Sequence, residues 1–245
     1  MEGRATQRDG TKVNVPASNE SRLLACSLYA LTVVTGLVDA VSFLGLGHVF
    51  TANMTGNVVF LGFAVAGAPG LSIPRSLTSL IAFLFGAGLG GRLGASMAFT
   101  NRSRWLLITG VAEAALLFVA ALASIDFDIG SATPASSLYA VIVLTALAMG
   151  LRNATVRRLA IPDMTTTVLT LTLTGLASDS SPAGGNNPRV GRRVASVLLM
   201  FAGAAIGALL LRRGLMLPLI LSAVFVLAVT AVFAAVSSEG ADSTG

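Results

Sequence analysis

Between residues 22 and 236 the chain is a succession of apolar stretches, most of them close to 20 residues long, parted by brief polar breaks. About 20 apolar residues in helical form cross the roughly 30 Å hydrocarbon core of a bilayer. Inside that core every backbone amide and carbonyl must be satisfied within the protein, which leaves helices as the economical solution. No other feature constrains the fold so strongly. Composition agrees: charged residues make up 11% of the chain, against roughly 25% in an average soluble domain. A soluble enzyme, a disordered protein and a secreted disulfide scaffold are thereby excluded. The expected fold is an all-α, polytopic transmembrane bundle seated in lipid.

Eight apolar segments are read, at about 22–46, 50–68, 75–98, 104–124, 135–151, 160–178, 193–212 and 215–236. Two differ from the rest: 50–68 is short and Gly-rich, and 160–178 is Thr-rich. If either is a broken or re-entrant segment, the spans number six or seven instead of eight. Residues 1–21 and 237–245 are polar and read as disordered tails around a single transmembrane domain, 22–236. The first apolar run is long enough to span and has no small-residue cleavage pattern, so no signal-peptide removal is expected.

Short patterns recur in order. Gly36-Leu37-Val38-Asp39-Ala40 returns as Gly150-Leu151-Arg152-Asn153-Ala154, Asn53-Met54-Thr55-Gly56-Asn57 as Asp163-Met164-Thr165-Thr166-Thr167, and Gly86/Gly90 as Gly203/Gly207. The offsets, 110 to 117 residues, divide the chain into halves of four segments, about 22–124 and 135–236. Four spans per half would give the halves a shared orientation; three would invert one against the other.

The net charge of +5 comes from fifteen arginines and Lys12, mostly at the ends of apolar runs. There they set topology and meet headgroups rather than nucleic acid. With eight spans they fall eight to each face, so orientation stays undecided. One histidine and one cysteine cannot build a zinc site of the usual kind, and neither a metal nor a cofactor is expected. On size alone the bundle is also a candidate homodimer.

Few residues carry chemistry. Asp39 lies within the first segment, where a charge costs about 2.5–3.5 kcal/mol on insertion scales and should face the bundle interior. It is a candidate relay for a proton or cation or a contact to a polar solute, or else a residue hydrated near the interface or paired structurally with an arginine. Asn53, Thr55, Gly56 and Asn57 form a polar, Gly-containing cluster that suits either a broken helix at a binding site or a helix N-cap. His48 lies in the preceding turn as a candidate proton shuttle or interface residue. In the second half Arg152 and Asn153 occupy the register of Val38 and Asp39. Arg152 reads either as the buried partner of Asp39 or as a helix-end anchor beside Arg157 and Arg158. Asp163 and Thr165 would complete the polar lining or cap the sixth segment. Glu113 is a second acid within a span, and Trp105 and Tyr139 read as interfacial anchors.

The blocks Gly36-Leu-Val-Asp-Ala-Val-Ser-Phe-Leu44 and Phe50-Thr-Ala-Asn-Met-Thr-Gly-Asn57 resemble the YoaK-like family of bacterial membrane proteins (domain of unknown function 1275). The resemblance implies a multi-pass bacterial inner-membrane protein with about six spans and no established biochemical role. From the residues, the leading expectation is a transporter or channel for a small polar solute or ion, proton-coupled through Asp39, and not an enzyme. The alternative is a non-transporting assembly or sensor protein.

Overall fold

The computed structural model describes residues 19–97, 102–159 and 169–242. Its helices are α1 (Asn19–Ala40, continued by a π turn over Val41–Gly45), α2 (Met54–Val65), α3 (Ile73–Met97), α4 (Arg102–Ala123), α5 (Ala135–Leu159), α6 (Thr170–Ser178), α7 (Val190–Leu210) and α8 (Met216–Asp242). The all-α bundle is as expected. Among the described residues six helices are long and apolar enough to span: Ala25–Gly45, Ile73–Met97, Ser103–Ala123, Ala135–Leu159, Val190–Arg213 and Met216–Ala235. The fourth span runs eight residues beyond the expected end at 151, and α8 passes 236 to reach Asp242. Asp163 and Thr165 lie outside the described residues.

Among the described residues, the two segments set apart in the sequence hold only short helices. At 1.5 Å per residue, the 12 residues of α2 measure about 18 Å and the 9 of α6 about 13 Å, well short of a bilayer core. Among the described residues each half therefore carries three helices of spanning length and one short helix, in the order long, short, long, long. An odd number of crossings corrects the parallel arrangement derived from eight spans: any repeat relation between the halves is an inverted one.

Glycine decides which helices meet. A methyl group on Gly36 of α1 would collide with the backbone of Met200 and Gly203 on α7, and one on Gly203 would strike Val33. On the other side of the bundle, Gly150 of α5 meets the Phe83 backbone of α3 while Gly86 meets Leu147. Gly207 faces Leu37 and Ala40, and Gly90 faces Leu151 and Ala154. Each α1–α7 contact thus returns in α5–α3 at the offsets that the sequence patterns show. Small residues let helix backbones approach closely, where dispersion and helix–helix packing replace the hydrophobic drive that lipid abolishes.

Two clusters fill the centre. Val34 and Val38 of α1 pack with Ala114, Leu117, Ala148, Met149, Ala223 and Val226, and with Ala52 from the loop ahead of α2. Val41, Leu46 and Val49 pack with Ala120, Ile142, Leu215 and Leu219. The outer faces of α3 and α7 leave Ile81, Leu84, Phe85, Leu198 and Phe201 exposed for lipid. Trp105 is buried, 2% exposed, which corrects its reading as an interfacial anchor.

Candidate functional site

The π turn after Ala40 ends α1 early and sends the chain back into the bundle. Gly47 turns at φ 79°, and its carbonyl accepts from Arg75 Nη1 in the first turn of α3 at 3.4 Å. Three residues on, the Phe50 carbonyl accepts from Ser79 Oγ at 2.6 Å, one turn further along α3. Asn57 holds the same backbone unit at both ends: its Oδ1 accepts from Phe50 N at 2.8 Å and its Nδ2 donates to Phe50 O. Phe43, Phe50 and Phe60 stack behind this clamp. By Ala52 the chain has reached the central cluster, so α2 starts deep in the bundle. Asn53 caps it, accepting from Gly56 N at 3.3 Å.

The second short helix is held at its other end. Arg193, near the start of α7, donates to Gly175 O at 2.6 Å and to Asp179 Oδ2 at 2.8 Å. That guanidinium, with a hydrogen bond from Ser178, holds the Asp179 carboxyl below its usual range. The first turn of α6 reaches inward, toward the middle of α7.

The two short helices meet at a cavity of about 480 Å³. Its polar lining is Asp39 from α1, Asn53, Thr55 and Gly56 from the start of α2, and Thr170 from the start of α6. Val59, Phe60, Leu169, Leu173 and Met200 form apolar walls. Asp39 is the one charged residue among the described residues that line it. Its Oδ1 is buried and has no hydrogen-bond partner among the described residues.

Four of the candidate residues from sequence, Asp39, Asn53, Thr55 and Gly56, thus share one space. Others do not reach it. His48, at φ 59°, is exposed and packs edge-on against Phe43. Asn57 is fully buried, with its amide spent on Phe50 and Ser79. Asn153 donates back to Met149 O within its own helix at 2.8 Å. Arg152 requires the largest correction. It neither pairs with Asp39 nor anchors at a surface; it is 2% exposed and bound to Glu113. Its Nε donates to Glu113 Oε1 at 2.6 Å, and its Nη1 reaches Leu31 O and Thr35 Oγ1, each at 3.1 Å. A separate small cavity of about 70 Å³, lined largely by α1, α4, α5 and α8, lies beside this pair. Sequence reasoning missed Thr170 and the apolar walls. In so apolar a chain, Phe60 or Met200 gives no signal until the fold places it.

Among known proteins, the chain is 34% identical over 154 residues to the UPF0700 transmembrane protein YoaK of Bacillus subtilis (strain 168). That match covers 63% of this chain and spans 66% of the length of the relative. No solved structure matches it. Residues 27–232, which hold all six spanning helices almost entirely, match the family described as protein of unknown function, DUF1275. With its helical membrane architecture and this match, the chain belongs to the DUF1275 family of membrane proteins.

Proposed function

We propose that the protein carries a small polar solute or ion across the membrane through the cavity at Asp39, with proton exchange on that carboxylate. The observation that carries this reading is Asp39 itself, which lines a space of about 480 Å³ while its Oδ1 is buried with no hydrogen-bond partner among the described residues. Ionisable groups at membrane depth are costly and mark ion or substrate pathways when no structural partner absorbs them. Arg152 and Glu113 absorb each other, whereas Asp39 is left to a visitor. Two short helices that begin beside the cavity also suit a carrier. Interrupted helices near the midplane offer their ends to substrate, and inverted halves supply two related ways of opening the site. We read the matched glycine contacts as the packing of such inverted repeats. The protein is on this view a carrier and not an enzyme, and its expected seat is the bacterial inner membrane, where a proton gradient can drive it.

The test is a charge-movement recording on proteoliposomes given concentration jumps of sodium, potassium, ethanolamine, leucine or acetate across a pH gradient. Wild type should give a current with at least one of these. Asp39→Asn, reconstituted at the same density, should give none while keeping a wild-type unfolding temperature within a few degrees. Equal currents from the two proteins, or silence from wild type toward every probe, would sink the reading.

A further inference from the structure

The Asp39 cavity presents two opposite recognition elements at once. Asp39 brings a carboxyl group, one oxygen of which is buried with no hydrogen-bond partner among the described residues. The first turns of α2 and α6 also line the space, and each helix N-terminus behaves as about half a positive charge with unserved amides. The two ends are not alike. Asn53 already satisfies the Gly56 amide of α2. The N-cap position of α6 is Leu169, which provides no capping hydrogen bond. Among the described residues no side chain caps the first-turn amides of α6, and Leu169 and Thr170 put them at the cavity wall.

With Asp39 ionised, its charge and the two half-charges of the helix ends sum to about zero. A simple cation would satisfy Asp39 and face the helix ends; a simple anion would do the reverse. A molecule with both charges a few atoms apart satisfies both. The remaining walls, Val59, Phe60, Leu173 and Met200, are apolar, and a volume of about 480 Å³ lies in the range typical of small-molecule sites.

We infer that the cavity takes a zwitterionic amino acid with an apolar side chain, its ammonium on Asp39 and its carboxylate on the first turn of α6. The inference rests on the site of the proposed carrier and adds the class of its cargo. The apolar walls receive the side chain, and Thr55 and Thr170 supply hydroxyls at the rim.

The test separates the two charges of the ligand. Thermal unfolding of the detergent-solubilised full chain is followed with alanine, leucine or phenylalanine, and with two fragments of leucine. The fragments are 3-methylbutylamine, which lacks the carboxylate, and 4-methylpentanoate, which lacks the ammonium. At least one of the three amino acids should raise the melting temperature by mass action, and leucine should act at concentrations tenfold or more below either fragment. Asp39→Asn should abolish the leucine shift. Leu169→Asp, which sets a competing negative charge at the start of α6, should weaken leucine about tenfold without weakening any effect of the amine. This second variant keeps the test open if Asp39→Asn folds poorly. An amine or an acid as effective as leucine overturns the inference, as does the absence of any shift with all three amino acids. If the amine alone acts, in an Asp39-dependent way, the carrier reading survives and the cargo class falls. If leucine binds but no probe gives a current, the zwitterion site stands and the transport reading falls.

Discussion

Arg152 is tied to three helices at once: to Glu113 of α4, to Leu31 and Thr35 of α1, and by its own backbone to α5. Removing one member of such a pair strands the other charge without water, a loss of about 3–5 kcal/mol. Glu113→Gln and Arg152→Met should therefore each lower the unfolding temperature strongly. The double variant should regain part of the loss, because it leaves no buried charge unpaired and only the neutral amide at position 113 short of partners. Asp39→Asn should behave differently, since no ion pair is broken; calorimetry of the four proteins in one detergent checks the contrast. The sequence shows all three intramembrane charges, because a charge in an apolar run stands out. It does not show who pairs with whom. Repeat register equates residue 39 with 153, but equivalence is not contact. The glycine faces of α1 and α5 seat on α7 and α3 respectively, and this turns Asp39 and Arg152 toward different neighbours.

Among the helices, glycine position sets the packing, and the two matched interfaces give a controlled comparison. Gly86→Ala would drive its methyl into the Leu147 backbone, and Gly203→Ala into that of Val33. Each should cost about 1–3 kcal/mol, the usual range for overpacking, and the two losses should be similar. Gly88→Ala, on the same helix as Gly86 with nothing within 4 Å, should be neutral or slightly stabilising. Thermal unfolding of the three variants reads this directly; unequal losses at positions 86 and 203 would count against the inverted-repeat reading. The tie between α6 and α7 adds a pH dependence. Arg193 keeps the Asp179 carboxyl ionised below its usual range, so the contribution is complete at neutral pH and fades only as pH falls through that lowered value. Hydrogen exchange in α6 should accelerate there, and Asp179→Asn should show the fast exchange already at neutral pH. The glycine pattern was visible from the sequence, as was the oddity of segments 50–68 and 160–178. The shortness of the helices described within them was not. Hydropathy reports transfer of side chains, whereas the start of α2 is fixed by the Asn57 and Ser79 clamp on Phe50, a contact that no window average contains.

For the molecule as a whole, the number of crossings decides which face each loop occupies. With eight spans the basic residues divide evenly and topology is undetermined. With the six helices of spanning length, Arg92, Arg104, Arg157, Arg158, Arg189, Arg192 and Arg193 fall on one face, with Arg102 and the four basic residues ahead of Ala25. Arg75, Arg212 and Arg213 fall on the other, together with Asp126 and Asp128. Asp128 is held ionised there by Ser131, through its hydroxyl and amide, and by the Gly130 amide. Arg152, locked to Glu113 in the core, takes no part in this balance. Twelve basic residues against three is the asymmetry that the positive-inside rule reads as cytoplasmic against outer. The chain ahead of α1 and that after α8 should therefore both lie in the cytoplasm. The loop between α4 and α5, the α1–α3 connection and the turn between α7 and α8 should face outward. Fusions of a reporter active only outside the cytoplasm should be bright after residue 130 and dark after residues 100, 185 and 240. A bright fusion after residue 185 would mean that α6 crosses after all. Entry from opposite faces then follows for the two short helices: α2 returns to the outer side and α6 to the cytoplasmic side, with their first turns at one cavity. A solute that reaches Asp39 from either face has to pass one of them, so cysteines placed at Thr55 and Leu171, in a Cys26→Ser background, should be protected by bound solute against a membrane-impermeant thiol reagent. Unchanged labelling at both positions in the presence of a stabilising ligand would put the solute path elsewhere in the bundle.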